Sequence, residues 1–243
     1  MIYVNGDSWS QRTPYVDTKD IWPNLLAKKL DMPLINDSMG CGSNSRIQHG
    51  LENYFVSEVP PTAIVLALTG HHRIHLPSEN MGAWMVGPDI AINECTGEKD
   101  EAIRDWIYRN SYFELDSVYR YYKIVWALEN LCCKLRCPYF IFQAWDTKLA
   151  DLKLMQGGIN ITNYVYQFFS SPETDINAQR YIRAFEYFAE QSAGWMLQEQ
   201  PLSELLTTDD YDDTGHPLHS GHIKIANHIY NQGNTWNNKD NKQ

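Results

Sequence analysis

No stretch of the chain approaches the roughly 20 consecutive apolar residues needed to span a bilayer. The longest strongly apolar run, Ala63-Ile-Val-Leu-Ala-Leu68, has the length of a strand. Basic residues are scarce. Lys and Arg number 20 against 30 Asp and Glu, a net charge of −10 over 243 residues. A protein that grips phosphate backbones nonspecifically needs the opposite balance, so nucleic acid is not an expected partner and anionic membrane surfaces are disfavoured. Cysteine is sparse and odd in number: Cys41, Cys95, Cys132, Cys133 and Cys137, with no C-x-x-C pair. Neither a zinc ribbon nor a complete disulfide framework fits that pattern. Cys132, Cys133 and Cys137 fall within an apolar helical pattern and read as small buried hydrophobes. The opening Met-Ile-Tyr-Val-Asn-Gly has neither a basic n-region nor an apolar h-region. Taken as the natural start, it gives a cytoplasmic expectation, and a reducing compartment agrees with the cysteines. There is no internal repeat and no clean linker.

What is present is enough for a core, since 43% of the residues are apolar. Ile2-Tyr3-Val4 is a β-rich run that stops at Gly6. Trp22 to Leu30 reads as a helix with Leu25, Leu26 and Leu30 on one side. Pro33-Leu34-Ile35 is a second strand, followed by a glycine-rich loop from Asn36 to Ser43. Ile47, Leu51, Tyr54 and Phe55 then form a helical stripe within 44–56. The run Ala63–Leu68 is uniformly apolar, as for a strand covered on both faces. From Pro77 to about Glu101 the pattern dissolves into Gly, Pro and Asn, which reads as an insertion or lid spanning about 77–105. A long helix is expected from Tyr112 to Arg136, a strand over Tyr139–Ala144, a helix over Ala178–Gln198 and a last amphipathic helix over Ser220–Tyr230. Residues 231–243 are Asn/Lys-rich and expected to be a disordered tail. Strands alternating with helices predict one α/β domain over 1–230. The expected architecture is a parallel, flavodoxin-like sheet of about five strands with helices on both faces.

In such a sheet, ligands sit beyond the carboxyl ends of the strands. Three polar clusters fall there: Gly6-Asp7-Ser8, Gly40-Cys41-Gly42-Ser43-Asn44 and Thr69-Gly70-His71-His72-Arg73. A fourth, Asp213-Thr-Gly-His216-Pro217, precedes the last helix. A serine on a tight strand-to-helix turn exposes its hydroxyl beside free backbone N–H groups. For it to attack an acyl carbon, a histidine must remove its proton. An aspartate must hold that histidine in the right tautomer and stabilise the imidazolium. Asp213 and His216 are close enough along the chain to meet in one turn.

These residues resemble the SGNH (GDSL-like) hydrolase family. Gly6-Asp7-Ser8-Trp9 is similar to its first block, with Trp in place of the usual Leu, and Asp213-x-x-His216-Pro217 to its last. The resemblance spans nearly the whole chain. It implies Ser8 as nucleophile, His216 as general base, Asp213 as the orienting acid and a three-layer α/β/α sandwich. It also implies an oxyanion-hole glycine after the second strand, for which Gly42 is chosen and Gly40 stands close behind. The family's third block, Gly-x-Asn-Asp, is missing. Read without gaps, Thr69-Gly70-His71-His72 takes its place, so that His71 or His72 stands where the asparagine would donate. The segment is also similar to a phage-type variant in which Thr-Ser and a nearby arginine replace that block. Arg73 would match the arginine, and Gly42-Ser43-Asn44-Ser45-Arg46-Ile47 that variant's second block.

Blander roles compete for several of these residues. Ser8 alone could be a turn residue capping a helix. Asp7 reads as a loop-ordering hydrogen-bond partner. Asn44 is placed either to cap the following helix or to line the pocket. His216, His219 and His222 recur every third residue, which raises a metal reading with His71, His72 and His75. Pro217 interrupts that series, however, and no His-Glu-x-x-His accompanies it. No metal or cofactor is therefore expected. Trp9 and Trp84 are candidate pocket walls, whereas Tyr119, Tyr121, Tyr122 and Trp126 on the long helix read as core. The expectation is a serine esterase acting on short acyl esters such as O-acetylated carbohydrates, with a small molecule or glycan as substrate. The competing readings are a catalytically weak binding or virion structural protein of the same fold, virion-associated if viral, and a metal-dependent hydrolase using the histidines.

Overall fold

Strands that carry only apolar side chains must be covered on both faces, and the helices of this chain supply both covers. The computed structural model describes residues 1–11, 13–57, 60–75, 83–86, 91–93, 96–97, 99–110, 113–144, 160–191 and 202–232. In chain order the elements are β1 (Ile2–Asn5), α1 (Trp22–Leu30), β2 (Leu34–Asn36), α2 (Asn44–Ser57), β3 (Ala63–Leu68), β4 (Arg73–His75), β5 (Ala83–Val86), β6 (Ala91–Asn93) and β7 (Lys99–Asp100). They continue with α3 (Glu101–Asn110), α4 (Phe113–Lys134), β8 (Tyr139–Gln143), α5 (Ile161–Tyr166), α6 (Ile176–Gln191) and α7 (His219–Gln232).

The main sheet is parallel, in the order β2-β1-β3-β8, with Tyr3 opposite both Ile35 and Ile64, and Val65 opposite Phe140. Alternation along β3 sorts its side chains between two cores. Ile64, Leu66 and Leu68 pack with Ile47 and Leu51 of α2 and with Leu115, Val118, Tyr122 and Leu128 of α4. Ala63, Val65 and Ala67 pack on the opposite face with Trp22 and Leu26 of α1 and Ile225 and Ile229 of α7. This is the expected three-layer sandwich. The expectation of about five parallel strands is corrected to four among the described residues.

Two further corrections concern the middle of the chain. The stretch read as an irregular insertion holds β5, β6 and β7, which form an antiparallel meander with β4. Its strands are two to four residues long, too short for period-2 alternation to stand out. Helices α3 and α5 were not legible either. The helix expected through Gln198 is described to Gln191, and its remainder lies outside the described residues. So does most of the 231–243 tail, although Asn231 and Gln232 complete α7. Among the described residues, no helix is long and apolar enough to cross a membrane.

Helix α7 closes the fold against α1 through a polar contact as well as an apolar one. His222 is fully buried, and the Trp22 N–H donates to its Nδ1 at 3.3 Å. Burial, with the charges of His219 and His216 beside it, lowers its pKa from 6.5 to about 4. Below pH 6.5 the unfolded chain therefore takes up a proton that the folded chain refuses. Stability attached to His222 is complete above pH 6.5 and is lost as pH falls toward 4, by about 3 kcal/mol at most. Urea unfolding at pH 7 and pH 4.5 measures this. The stability lost between the two should be about 2–3 kcal/mol smaller in His222→Gln, whose amide keeps an acceptor for Trp22.

Candidate active site

The turn after β1 is shaped by a close approach. A Cβ on Gly6 would lie 2.9 Å from Ala67 Cβ on β3 and 2.5 Å from Ser10 Oγ. Only glycine lets the chain leave the sheet here. Gly6→Ala is expected to cost about 1–3 kcal/mol as an overpacked site, read as a fall in the thermal midpoint. Asp7 follows in extended conformation, and its Oδ1 accepts the Trp9 N–H at 3.0 Å, capping the short 3-10 turn Ser8–Ser10. The hydroxyl of Ser8 is thereby held at the carboxyl end of the sheet.

The partner comes from 208 positions further on: His216 Nε2 lies 2.9 Å from Ser8 Oγ. The loop that carries it is fastened to α7. Lys224 Nζ meets the buried Asp210 carboxylate at 2.5 Å, and the Leu218 N–H donates to Asp210 O at 2.7 Å. Burial pushes the Asp210 carboxyl up, but hydrogen bonds from Lys224, Thr207 and Ser220 outweigh it and hold it far below the usual range. Within the loop, Gly215 N–H donates to Asp212 O at 3.0 Å, and Asp212 N–H donates to His216 O at 2.9 Å. Gly215 makes this tight return possible with φ of +80°.

Asp213 does not meet the imidazole in this geometry. It is exposed, because it is the second residue of a turn whose first residue, Asp212, directs its carboxylate inward. Asp212 Oδ1 accepts the N–H groups of Thr214 (2.8 Å) and His216 (2.9 Å) and the Thr214 hydroxyl (2.6 Å). Thr214 Oγ1 lies 2.7 Å from His216 Nδ1. Burial raises the Asp212 carboxyl, but those hydrogen bonds and the charge of His216 hold it below its ordinary value. A carboxylate only accepts, so the Thr214 proton points to Asp212 and its lone pair faces Nδ1. Nδ1 then carries the imidazole proton, and Nε2 is the acceptor that receives the Ser8 hydroxyl.

The candidates for the oxyanion side fare differently. Gly42 N–H is spent on Met39 O at 3.0 Å, across a turn in which Cys41 adopts φ of 58°. Gly40 N–H is spent on Gln11 Oε1 at 2.6 Å. Both amides were expected to face the substrate, and the turn geometry turns them inward instead. Asn44 neither caps nor lines: its amide clasps the Thr69 backbone at both ends, 2.8 Å each way. The capping role falls to Ser43, whose Oγ accepts the Arg46 N–H at 3.3 Å. Arg73 faces the nucleophile turn. Its Nη1 donates to Asp7 Oδ2 at 3.0 Å and to Gly42 O at 3.3 Å, so it ties the first loop to the second. His71 is half-buried, its pKa is lowered by burial, and its Nδ1 has no hydrogen-bond partner among the described residues. Trp9, expected as a pocket wall, is buried in the core and stacks obliquely on Tyr211 at 5.6 Å. Trp84 is likewise buried, against Ala91 and Ile107.

His216 meets Ser8 and His222 meets the Trp22 amide, and among the described residues no group of three His, Cys, Asp or Glu could hold a metal. Three contributors escaped the sequence reading: Asp212, Thr214 and Gln11. Thr214 had a signal in Asp212-x-Thr214-Gly215, the composition of a turn closed by an aspartate side chain. Gln11, which braces Gly40 and Ser38 O, had none. Beside the nucleophile turn an open groove of about 500 Å3 is lined by Gln11, Asn24, Asn36 and Ser38, with Ile21 and Leu34 its apolar members. Asn36 Nδ2 donates to Ser10 O at 2.8 Å, which joins the groove to that turn.

No family model matches the chain, and no curated protein matches it. Among solved structures it is similar to TesA, with 13% identity over 95% of this chain and 96% of that one at a TM-score of 0.48. It is similar to the psychrotrophic esterase EstA from Pseudoalteromonas sp., with 14% identity over 97% of each chain at a TM-score of 0.48. The acetyl xylan esterase AlAXEase shares 12% identity over 95% of this chain and 98% of that one, at a TM-score of 0.44. These likenesses run along nearly the whole chain and are too distant to assign a role to any residue.

Proposed function

We propose that this chain is a serine ester hydrolase of the SGNH (GDSL-like) type. The observation that carries the reading is the 2.9 Å contact between Ser8 Oγ and His216 Nε2, made by opposite ends of the chain. Ser8 Oγ attacks the ester carbonyl while its proton passes to His216 Nε2. His216 returns that proton to the departing alcohol. Water then repeats the cycle on the acyl-enzyme with the same base. In this reading the Ser8 N–H is the backbone donor that holds the oxyanion. His71, kept neutral by burial, is the side-chain candidate for a second donor. Losing one such donor costs about 10²–10³ in kcat, so an atypical hole lowers turnover without abolishing it.

Within this reading the substrate is a short acyl ester, such as an O-acetylated carbohydrate, rather than a long-chain lipid, because the sequence offers no long apolar tunnel for an acyl chain. A second reading, a fold-retaining binding protein with little activity, is favoured by the spent amides of Gly40 and Gly42. Turnover of p-nitrophenyl acetate by the purified chain, with and without chelator, separates the readings. Hydrolysis that survives chelation supports the serine esterase. Chelator-sensitive hydrolysis supports a metal-dependent reaction, and no turnover of any short ester supports the binding protein.

A further inference from the structure

We infer that Thr214 and Asp212, rather than Asp213, orient His216 through a hydroxyl relay. The inference rests on the esterase reading for its kinetic consequences and on geometry for its substance. His216 Nδ1, Thr214 Oγ1 and Asp212 Oδ1 form a continuous chain with separations of 2.7 and 2.6 Å. Each hydrogen in it has one acceptor: Nδ1–H points to Thr214, and the Thr214 proton points to Asp212. Asp212 also fixes the turn itself through the Thr214 and His216 amides. The same carboxylate therefore sets both the position and the tautomer of the base. Asp213 sits one residue on, on the outer side of that turn, exposed.

During acyl transfer only one proton moves, from Ser8 Oγ to His216 Nε2 and then to the leaving alcohol oxygen. The Nδ1 proton stays on the ring, and the Asp212 charge reaches the imidazolium through the polarised Thr214 hydroxyl. Thr214 and Asp212 are positioning residues, since neither touches the reacting atoms. Thr214 is exposed, so a small replacement would admit a water in place of the hydroxyl. Valine keeps the shape and removes the donor and acceptor.

The test compares Thr214→Val, Thr214→Ser, Asp212→Asn and Asp213→Asn with the unmodified chain on p-nitrophenyl acetate. Thr214→Val and Asp212→Asn should each lower kcat about 10–100-fold with KM changed less than about 2-fold, because the lost contact acts on the base and not on substrate. Thr214→Ser should recover most of the loss, and Asp213→Asn should stay within about 3-fold of the unmodified chain. Asparagine at 212 keeps the acceptor that closes the turn, so its effect reports the charge. A large loss in Asp213→Asn with Thr214→Val unaffected would overturn the relay and leave the esterase reading intact. If the unmodified chain turns over no ester, the esterase reading fails on its own, and NMR of the His216 ring still decides the relay. An Nδ1–H tautomer whose slowly exchanging proton disappears in Thr214→Val supports it. An Nε2–H tautomer, or a proton unaffected by the substitution, overturns it.

Discussion

Ser8→Ala should lower kcat on short esters by about 10⁴–10⁶-fold, the scale on which removal of an activated nucleophile acts. The thermal midpoint should stay close to that of the unmodified chain. Ser8 is half-buried, and among the described residues its hydroxyl is hydrogen-bonded to His216. The backbone of the turn is held by other groups: Asp7 caps it, and Gln11 N–H donates to Ser8 O at 3.2 Å. Alanine therefore removes the hydroxyl and leaves the turn standing. A loss of less than about 10-fold, measured with stopped-assay kinetics on the same ester, would place the chemistry elsewhere. Residual hydrolysis that chelator removes would point to the histidines and a metal.

The second large effect is on stability. Arg73 and Asp7 form an ion pair with 8% and 0% of their side chains exposed. Removing the cation alone leaves a carboxylate desolvated inside the protein. Arg73→Met should therefore destabilise the fold by about 3–5 kcal/mol, whereas converting both partners to neutral groups should be much milder. For a chain of this size that single change lowers the thermal midpoint by about 10 °C. The double variant Arg73→Met/Asp7→Asn should recover at least half of that fall. Arg109→Ala on α3, whose partner is Asp105 at 3.1 Å with Arg109 78% exposed, should cost no more than about 0.5 kcal/mol. Equal effects at the two sites would mean that burial does not set the strength of the Arg73 tie.

The uneven legibility of this chain has physical causes. The apolar run Ala63–Leu68 and the stripe on α4 announce themselves because burial on a sheet or helix face imposes a period. The strand after Pro138 is legible for the same reason. Helix Trp22–Leu30 ends at Asp31, in the left-handed region at φ of 52°. Its cap is an aspartate rather than glycine, yet the apolar spacing placed its bounds. The short strands β5 to β7 carry no such period, so the insertion read as irregular.

The contact between Ser8 and His216 was legible because their residue types and flanking blocks mark both as candidates. The groups around them were not, because backbone N–H directions depend on turn geometry rather than composition. Gly40 and Gly42 looked available, but Gln11 and Met39 take their amides. The spacing Asp-x-x-His picked Asp213 from a run of carboxylates. It is the turn closed by Gly215 that directs Asp212 inward and Asp213 outward.

The central claim is that the Ser8 hydroxyl is a nucleophile activated by an imidazole from the far end of the chain. A fluorophosphonate probe followed by peptide mass spectrometry tests this most directly. The account predicts a single adduct, on the peptide holding Ser8, absent from Ser8→Ala and strongly reduced in His216→Ala. An adduct on another residue, or none on an intact folded chain, would contradict it.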